Sequence, residues 1–261
     1  MSILRLFWSF FRIGALNELQ YRANFFVQLL QSALALIVGL VGLGLVFSHT
    51  ATLAGWAREE LLVVMGVHLL MGGLIRATIQ PNMERLMNEI QEGAFDFTLA
   101  KPADSQTLVS ARELRLWQLV EVVVGLIVVM VAVWLGRLPL GLWPLLSFAL
   151  ALILGALIIY AFWLLLTTAA FWVIRMEQVV ELFQGVYAAG RWPVSIYPDW
   201  LRAGLTLIVP LAFAITVPAE ALTARLTLPT LGLAVGFTVA VLRLARWVWF
   251  RGLRAYSGAS A

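Results

Sequence analysis

Five long apolar runs decide what this chain can become. They cover residues 25–47, 61–79, 116–135, 142–174 and 228–250. A helix needs about 20 apolar residues to cross the hydrocarbon core of a bilayer. Inside that core every backbone N–H and C=O must find a partner within the protein, which an α-helix does by itself. Hydrophobic residues make up 62% of the 261 and charged residues 12%, at a mean hydropathy of +0.93. A soluble globule of this length cannot bury so much apolar surface. The expected fold is an all-α integral membrane protein.

The first 22 residues follow another pattern. Arg5, Ser9 and Arg12 share one face at helical spacing, while Leu4, Phe7, Trp8 and Phe11 fall mostly on another. That predicts an amphipathic helix lying in the membrane interface over residues 1–22. A plain signal-anchor flank is the simpler alternative. Arginines and apolar residues are interspersed, so no cleavable signal peptide is expected.

Residues 175–227 break the regular pattern. The apolar stretch 179–189 is interrupted by Glu181 and Gln184, and Arg191, Pro193, Tyr197, Pro198 and Asp199 follow. The stretch 201–219 is apolar again but carries Pro210 and Pro218. Two threadings fit. Either 201–220 is the fifth span, or 177–197 is, with 201–224 as half-helices dipping into the outer leaflet. Both give six spans. Proline-broken backbone at membrane depth must be buried in protein or line a cavity.

Arginine and lysine set the orientation. With the N-terminus inside and the half-helix threading, thirteen of the eighteen lie on the inner side and five on the outer. The positive-inside rule therefore places both termini in the cytoplasm of a multi-pass inner-membrane protein. Residues 23–250 form one six-span domain and 251–261 a short cytoplasmic tail. The isoelectric point near 10.0 reflects this arginine retention and implies no nucleic-acid partner. With no cysteine, and His49 and His68 as the only histidines, no metal site is expected.

The connector 80–114 then faces the cytoplasm. It holds Glu84, Arg85, Glu89, Glu92, Asp96, Lys101, Asp104, Arg112 and Glu113. Gly93 permits a sharp break and Pro102 ends a helix. Glu84, Glu89, Glu92 and Asp96 offer acid to a basic partner. A solvated hairpin is the alternative.

Within it, Glu92-Gly93, Phe95-Asp96, Leu99 and Lys101-Pro102 resemble the loop after the second span of ABC-2-type permeases, the membrane subunits of a class of ABC exporters. A second stretch, Tyr197-Pro198-Asp199-Trp200-Leu201-Arg202 with Pro210, Phe213, Pro218 and Glu220, resembles that family's segment between spans five and six. The resemblance covers nearly the whole chain. It implies the second threading, with a re-entrant segment over 198–227. It also implies a coupling role for Glu89, Glu92, Gly93, Phe95, Asp96, Leu99, Lys101 and Pro102. The implied partners are a dimer of nucleotide-binding ATPase subunits and a second permease chain, same or different. ATP and Mg belong to the ATPase: the chain has no G-x-x-x-x-G-K-[ST], and its only lysine, Lys101, precedes proline. Pro198, Pro210, Phe213, Pro218 and Glu220 become candidates for an outer gate.

Polar residues within the spans are His68, Glu121 beside Gln118, Gln28 and Gln31, and Glu177 and Glu181 beside Arg175. Ionisable groups there are costly and suggest function. Position near the inner interface favours structural pairing of Arg115 and Arg175 with Glu121 and Glu177 or Glu181. His68 suggests a hydrogen bond between helices. Gly39, Gly42, Gly44, Gly72 and Gly73 permit close packing, within the chain or between permeases. Trp134, Trp143, Trp192, Trp200, Trp247 and Trp249 read as interface anchors. An ion-gradient transporter would place acids at the midplane of repeated broken helices, and an intramembrane enzyme would need a catalytic cluster. Neither pattern is visible, and a non-transporting scaffold remains the other alternative. The cargo is not written in the sequence.

Overall fold

The computed structural model describes residues 22–139, 141–172 and 178–256. Residues 1–21 of the expected interfacial helix, Arg175, Glu177 and residues 257–261 of the C-terminal tail lie outside them. The described residues are built from helices. Five are long and apolar enough to cross a membrane, or six if one bent pair counts as a span.

Helix α1 spans Arg22–Phe47, and α2 spans Arg58–Leu74. A π-helical turn, Ile75–Ile79, joins α2 to α3, Gln80–Gln91, so helix runs without interruption from 58 to 91. Short α4, Asp96–Leu99, and α5, Ser105–Ser110, complete the connector. Then come α6, Leu119–Leu135, and α7, Leu142–Thr168. Helix α8 covers Gln178–Tyr187 and tightens into a 3-10 turn, Ala188–Arg191. Helix within the expected fifth span, 177–197, is therefore broken after Arg191, two residues before Pro193.

Helix α9, Asp199–Ala203, continues as a π turn, Gly204–Ile208; α10, Val217–Leu222, follows the π turn Ala212–Thr216. The two arms meet at 81°. The cause is local. Proline disfavours the helical region for the residue before it and brings no N–H. Val209 accordingly sits at φ −110°, ψ 95°, which ends the first arm. Pro218 follows directly on the π turn in a continuous helix, where its missing N–H fits the widened hydrogen-bond ladder. Last comes α11, Leu228–Ala255, capped by Thr227, whose hydroxyl accepts from the Thr230 N–H.

The core is centred on α2. Its backbone touches that of α6 because both helices are small at the crossing. A Cβ on Gly125 would stand 2.4 Å from the Leu70 nitrogen and 2.6 Å from the Gly66 oxygen. Gly73 meets Val122 and the Gln118 carbonyl in the same way, so this glycine packs within the chain. Gly39 of α1 packs on Met65, whereas Gly42 and Gly44 have open space beside them. Helix α1 exposes Phe26, Leu30, Leu34, Val38 and Val41, as a lipid-facing or partner-facing helix does.

Candidate functional site

The connector folds into a braced elbow at the end of the bundle that also holds the end of α11. Asn82 organises it. Its amide donates to the Thr78 and Glu113 carbonyls at 2.6 and 2.8 Å, and its oxygen accepts from the Arg112 and Glu113 N–H groups at 2.8 and 2.9 Å. One buried amide thus zips the returning chain onto α3. Beside it, Arg112 donates to both oxygens of Glu89 at 2.9 Å and to Thr98 at 2.8 Å. Arg85 also reaches Glu89, at 3.0 Å. Glu84 pairs with Arg115 at 3.0 Å. Glu89 and Glu84, expected as acids facing a partner, are committed inside the chain.

Gly93 makes the bend, at φ +70°, a conformation that suits a residue without Cβ. The chain then presents Phe95 and Phe97 in opposite senses. Phe95 is fully buried, with ring centroids 5.5 Å from Tyr256, 5.8 Å from Phe171 and 6.1 Å from Trp249. This aromatic box ties the elbow to the ends of α7 and α11. It also corrects the expectation for Trp249, which is buried in the box and does not anchor an interface. Burial and the nearby Asp96 carboxylate raise the Tyr256 phenol above its usual pKa. Phe97 is 78% exposed, and Glu92, Leu99, Lys101 and Pro102 are exposed with it. The elbow therefore offers an apolar knob with charge on either side.

A second clamp holds α5. Arg246 of α11 grips Asp104 at 2.7 and 3.2 Å and the Gln106 side-chain Oε1 at 2.5 Å. Tyr160 of α7 bonds Gln106 at 3.0 Å and Ser110 at 2.8 Å. The Arg246 hydrogen bond, helped by the Thr107 N–H, lowers the Asp104 carboxyl to about 2.

Deeper in the bundle a cleft of about 520 Å³ opens between α1, α2 and α8. Gln28, Gln31 and Ser32 line it from α1, His68 and Arg76 from α2 and its π turn, and Gln184, Tyr187 and Arg191 from α8 and its 3-10 extension. Glu121 of α6 closes the bottom and pairs with Arg76. Glu121 was expected to pair with Arg115, which binds Glu84 instead: the π turn swings Arg76 toward α6. His68 stacks on Tyr187, ring centroids 4.6 Å apart, and the Tyr187 hydroxyl donates to the His68 carbonyl at 2.7 Å. The helix-to-helix bond expected of the His68 side chain is thus made by its backbone. Glu181 lies exposed on α8.

At the opposite end of the molecule Arg225 stacks over Trp56 and donates to Glu60 at 2.6 and 2.9 Å. It closes the turn between α10 and α11 against the start of α2. The Trp56 indole N–H donates to Ser195 at 3.1 Å. Of the outer-gate candidates, Pro198 is exposed and starts α9, Pro210 and Pro218 are buried, Phe213 stacks on Phe237 at 4.9 Å, and Glu220 is half-buried. None of them lines the cleft, which is walled by other residues.

Sequence reasoning did not single out Asn82, Phe97, Tyr160, Tyr187, Arg191 or Arg246 for these roles. Phe97 alone carried a signal, an aromatic in a charged loop. Asn82, Tyr160, Tyr187 and Arg246 act through partners 30 or more residues away, and Arg191 is placed by the cleft it lines.

No curated relative and no solved structure matches the chain. The model of a family described as ABC-2 family transporter protein matches residues 33–260, which takes in the elbow, every candidate crossing helix but the start of α1, and the cleft lining apart from Gln28, Gln31 and Ser32. The chain therefore belongs to the ABC-2 transporter family and is a membrane-embedded transport permease.

Proposed function

We propose that this permease is the membrane half of an ATP-driven exporter, coupled through its elbow to a separate nucleotide-binding subunit. The observation that carries the reading is the exposed Phe97 and Leu99 on a segment whose neighbour Phe95 is locked into the bundle. An exposed apolar group on a braced, charged surface is what a partner's pocket requires. Glu92, Asp96 and Lys101 would steer the encounter. The ATPase dimer supplies ATP, Mg and hydrolysis. Its closure would push two elbows, one on each of two permease chains, and the bracing by Asn82, Glu89–Arg112 and the aromatic box would carry the push into α2 and α11.

The arginine distribution supports an inner-membrane orientation with the elbow and both termini in the cytoplasm. In that orientation the 81° pair α9–α10 enters and leaves from the outer side as a re-entrant segment, and the Arg225–Glu60–Trp56 contact closes the outer end.

The test is an affinity pulldown of the tagged chain from its native membrane. A nucleotide-binding subunit is expected to co-purify. Phe97→Asp should reduce its recovery at least about tenfold, as loss of an interface anchor does, while Gly44→Ala should not. Export by the purified chain in vesicles without any ATPase would refute the coupling.

A further inference from the structure

The cleft between α1, α2 and α8 carries a charge and shape pattern that coupling does not use. Ser32 and His68 line it and are 2% and 8% exposed. The Ser32 hydroxyl and the His68 Nδ1 are buried without a hydrogen-bond partner among the described residues. Unpaired polar groups at membrane depth are costly, and both atoms lie just beneath the cleft wall, closed to solvent, where they make that wall polar. Arg191 lines the same cleft, is exposed, and pairs with no described carboxylate. Arg76 is held by Glu121. Both guanidinium groups act electrostatically on the His68 ring, so two positive charges stand near it. Two arginines against the one carboxylate of Glu121 leave the described lining with a net positive charge. In a low-dielectric setting that favours an anion strongly.

The α1 wall has a different character. Ala35, Gly39 and Gly42 follow one another along its cleft face, and a Cβ on Gly42 would meet nothing within 4 Å. The space beside this stretch is apolar, and 520 Å³ lies within the ~300–1,000 Å³ of small-ligand sites. We propose that the cleft binds an amphiphile with an anionic head and a slender apolar chain. The head sits by Arg191 and His68, and the chain runs along the Ala35–Gly42 face of α1. That the ligand is cargo rests on the transport reading above; its binding does not.

The experiment uses the full chain in phosphatidylcholine nanodiscs without any ATPase, titrated with a dansyl-labelled undecanoic acid. Saturable binding is expected. The methyl ester of the same probe and the Arg191→Gln variant should each weaken it at least about tenfold, the worth of one charge-assisted contact. Gly42→Leu, which fills the chain's path, should weaken it with the arginines intact and serves as an independent arm if Arg191→Gln fails to fold. Phosphatidylglycerol in the disc separates the two sources of such a ligand. Displacement of the probe assigns the cleft to the membrane's own lipid, persistence assigns it to a cargo, and both keep the anionic head. Equal binding of acid and ester, unchanged affinity in Arg191→Gln and Gly42→Leu, or complete displacement by inorganic phosphate overturns the proposal. Probe binding by a chain that recruits no ATPase would sink the coupling reading and leave this site standing.

Discussion

Phe95 and Phe97 stand two residues apart and do opposite work. Phe95 fills a box built from Phe171, Trp249 and Tyr256, and removing a buried aromatic costs about 3–5 kcal/mol. Phe95→Ala should therefore lower the melting temperature of the detergent-purified chain clearly, and Phe97→Ala should leave it unchanged; equal melting of both variants would contradict the assignment. The sequence shows that aromatics and charge coincide here but not which ring turns inward, because the left-handed residue Gly93 resets the direction of everything after it. The ion pairs were equally hidden. An arginine reaches several carboxylates, and Arg115 took Glu84 while Arg76 took Glu121. Asp104 gives a titratable readout. Its pKa is depressed from 3.8 to about 2, chiefly by Arg246, so its contribution to stability is complete above pH 4 and is lost as pH falls through the window down to about 2. Both partners are about 40% exposed, so the effect is under about 1 kcal/mol. Asp104→Asn should melt slightly below the parent at pH 7, and the two melting curves should converge as pH approaches 2.

At the scale of elements, long apolar runs were readable because the bilayer imposes length and composition directly. The described helices α1, α2, α6, α7 and α11 follow the expected runs. Their neighbours were not readable, since lipid tails make every apolar face look alike. The sequence pointed to Gly42 and Gly44, which face open space, and gave no sign of Gly66 and Gly125, where the α2 and α6 backbones meet. Gly125→Leu would force α6 off the Leu70 backbone. It should abolish folding or lower the melting temperature steeply, whereas Gly44→Ala should be neutral; a stable Gly125→Leu chain would show that α2 and α6 do not pack this way. The proline break at 210 was readable as a break. Its 81° geometry was not, because it depends on where α10 finds α7 to pack against.

The whole molecule has two working ends and a cleft, all connected to one helix. The connector announces itself in sequence by charge density. The cleft does not, since its walls come from residues 28–43, 61–80, 121 and 183–192 and no local pattern unites them. The unbroken helix 58–91 joins these parts. At 1.5 Å per residue its 34 residues measure about 51 Å, against a hydrocarbon core of about 30 Å. Roughly 20 Å of it therefore stands outside the hydrocarbon. Such a rod resists bending along its length except at the π turn 75–79, where an extra residue loosens the hydrogen-bond ladder. That turn holds Arg76, and Arg76 borders the cleft. Leverage applied at the elbow would thus reach, along one continuous helix, a joint that borders the cleft.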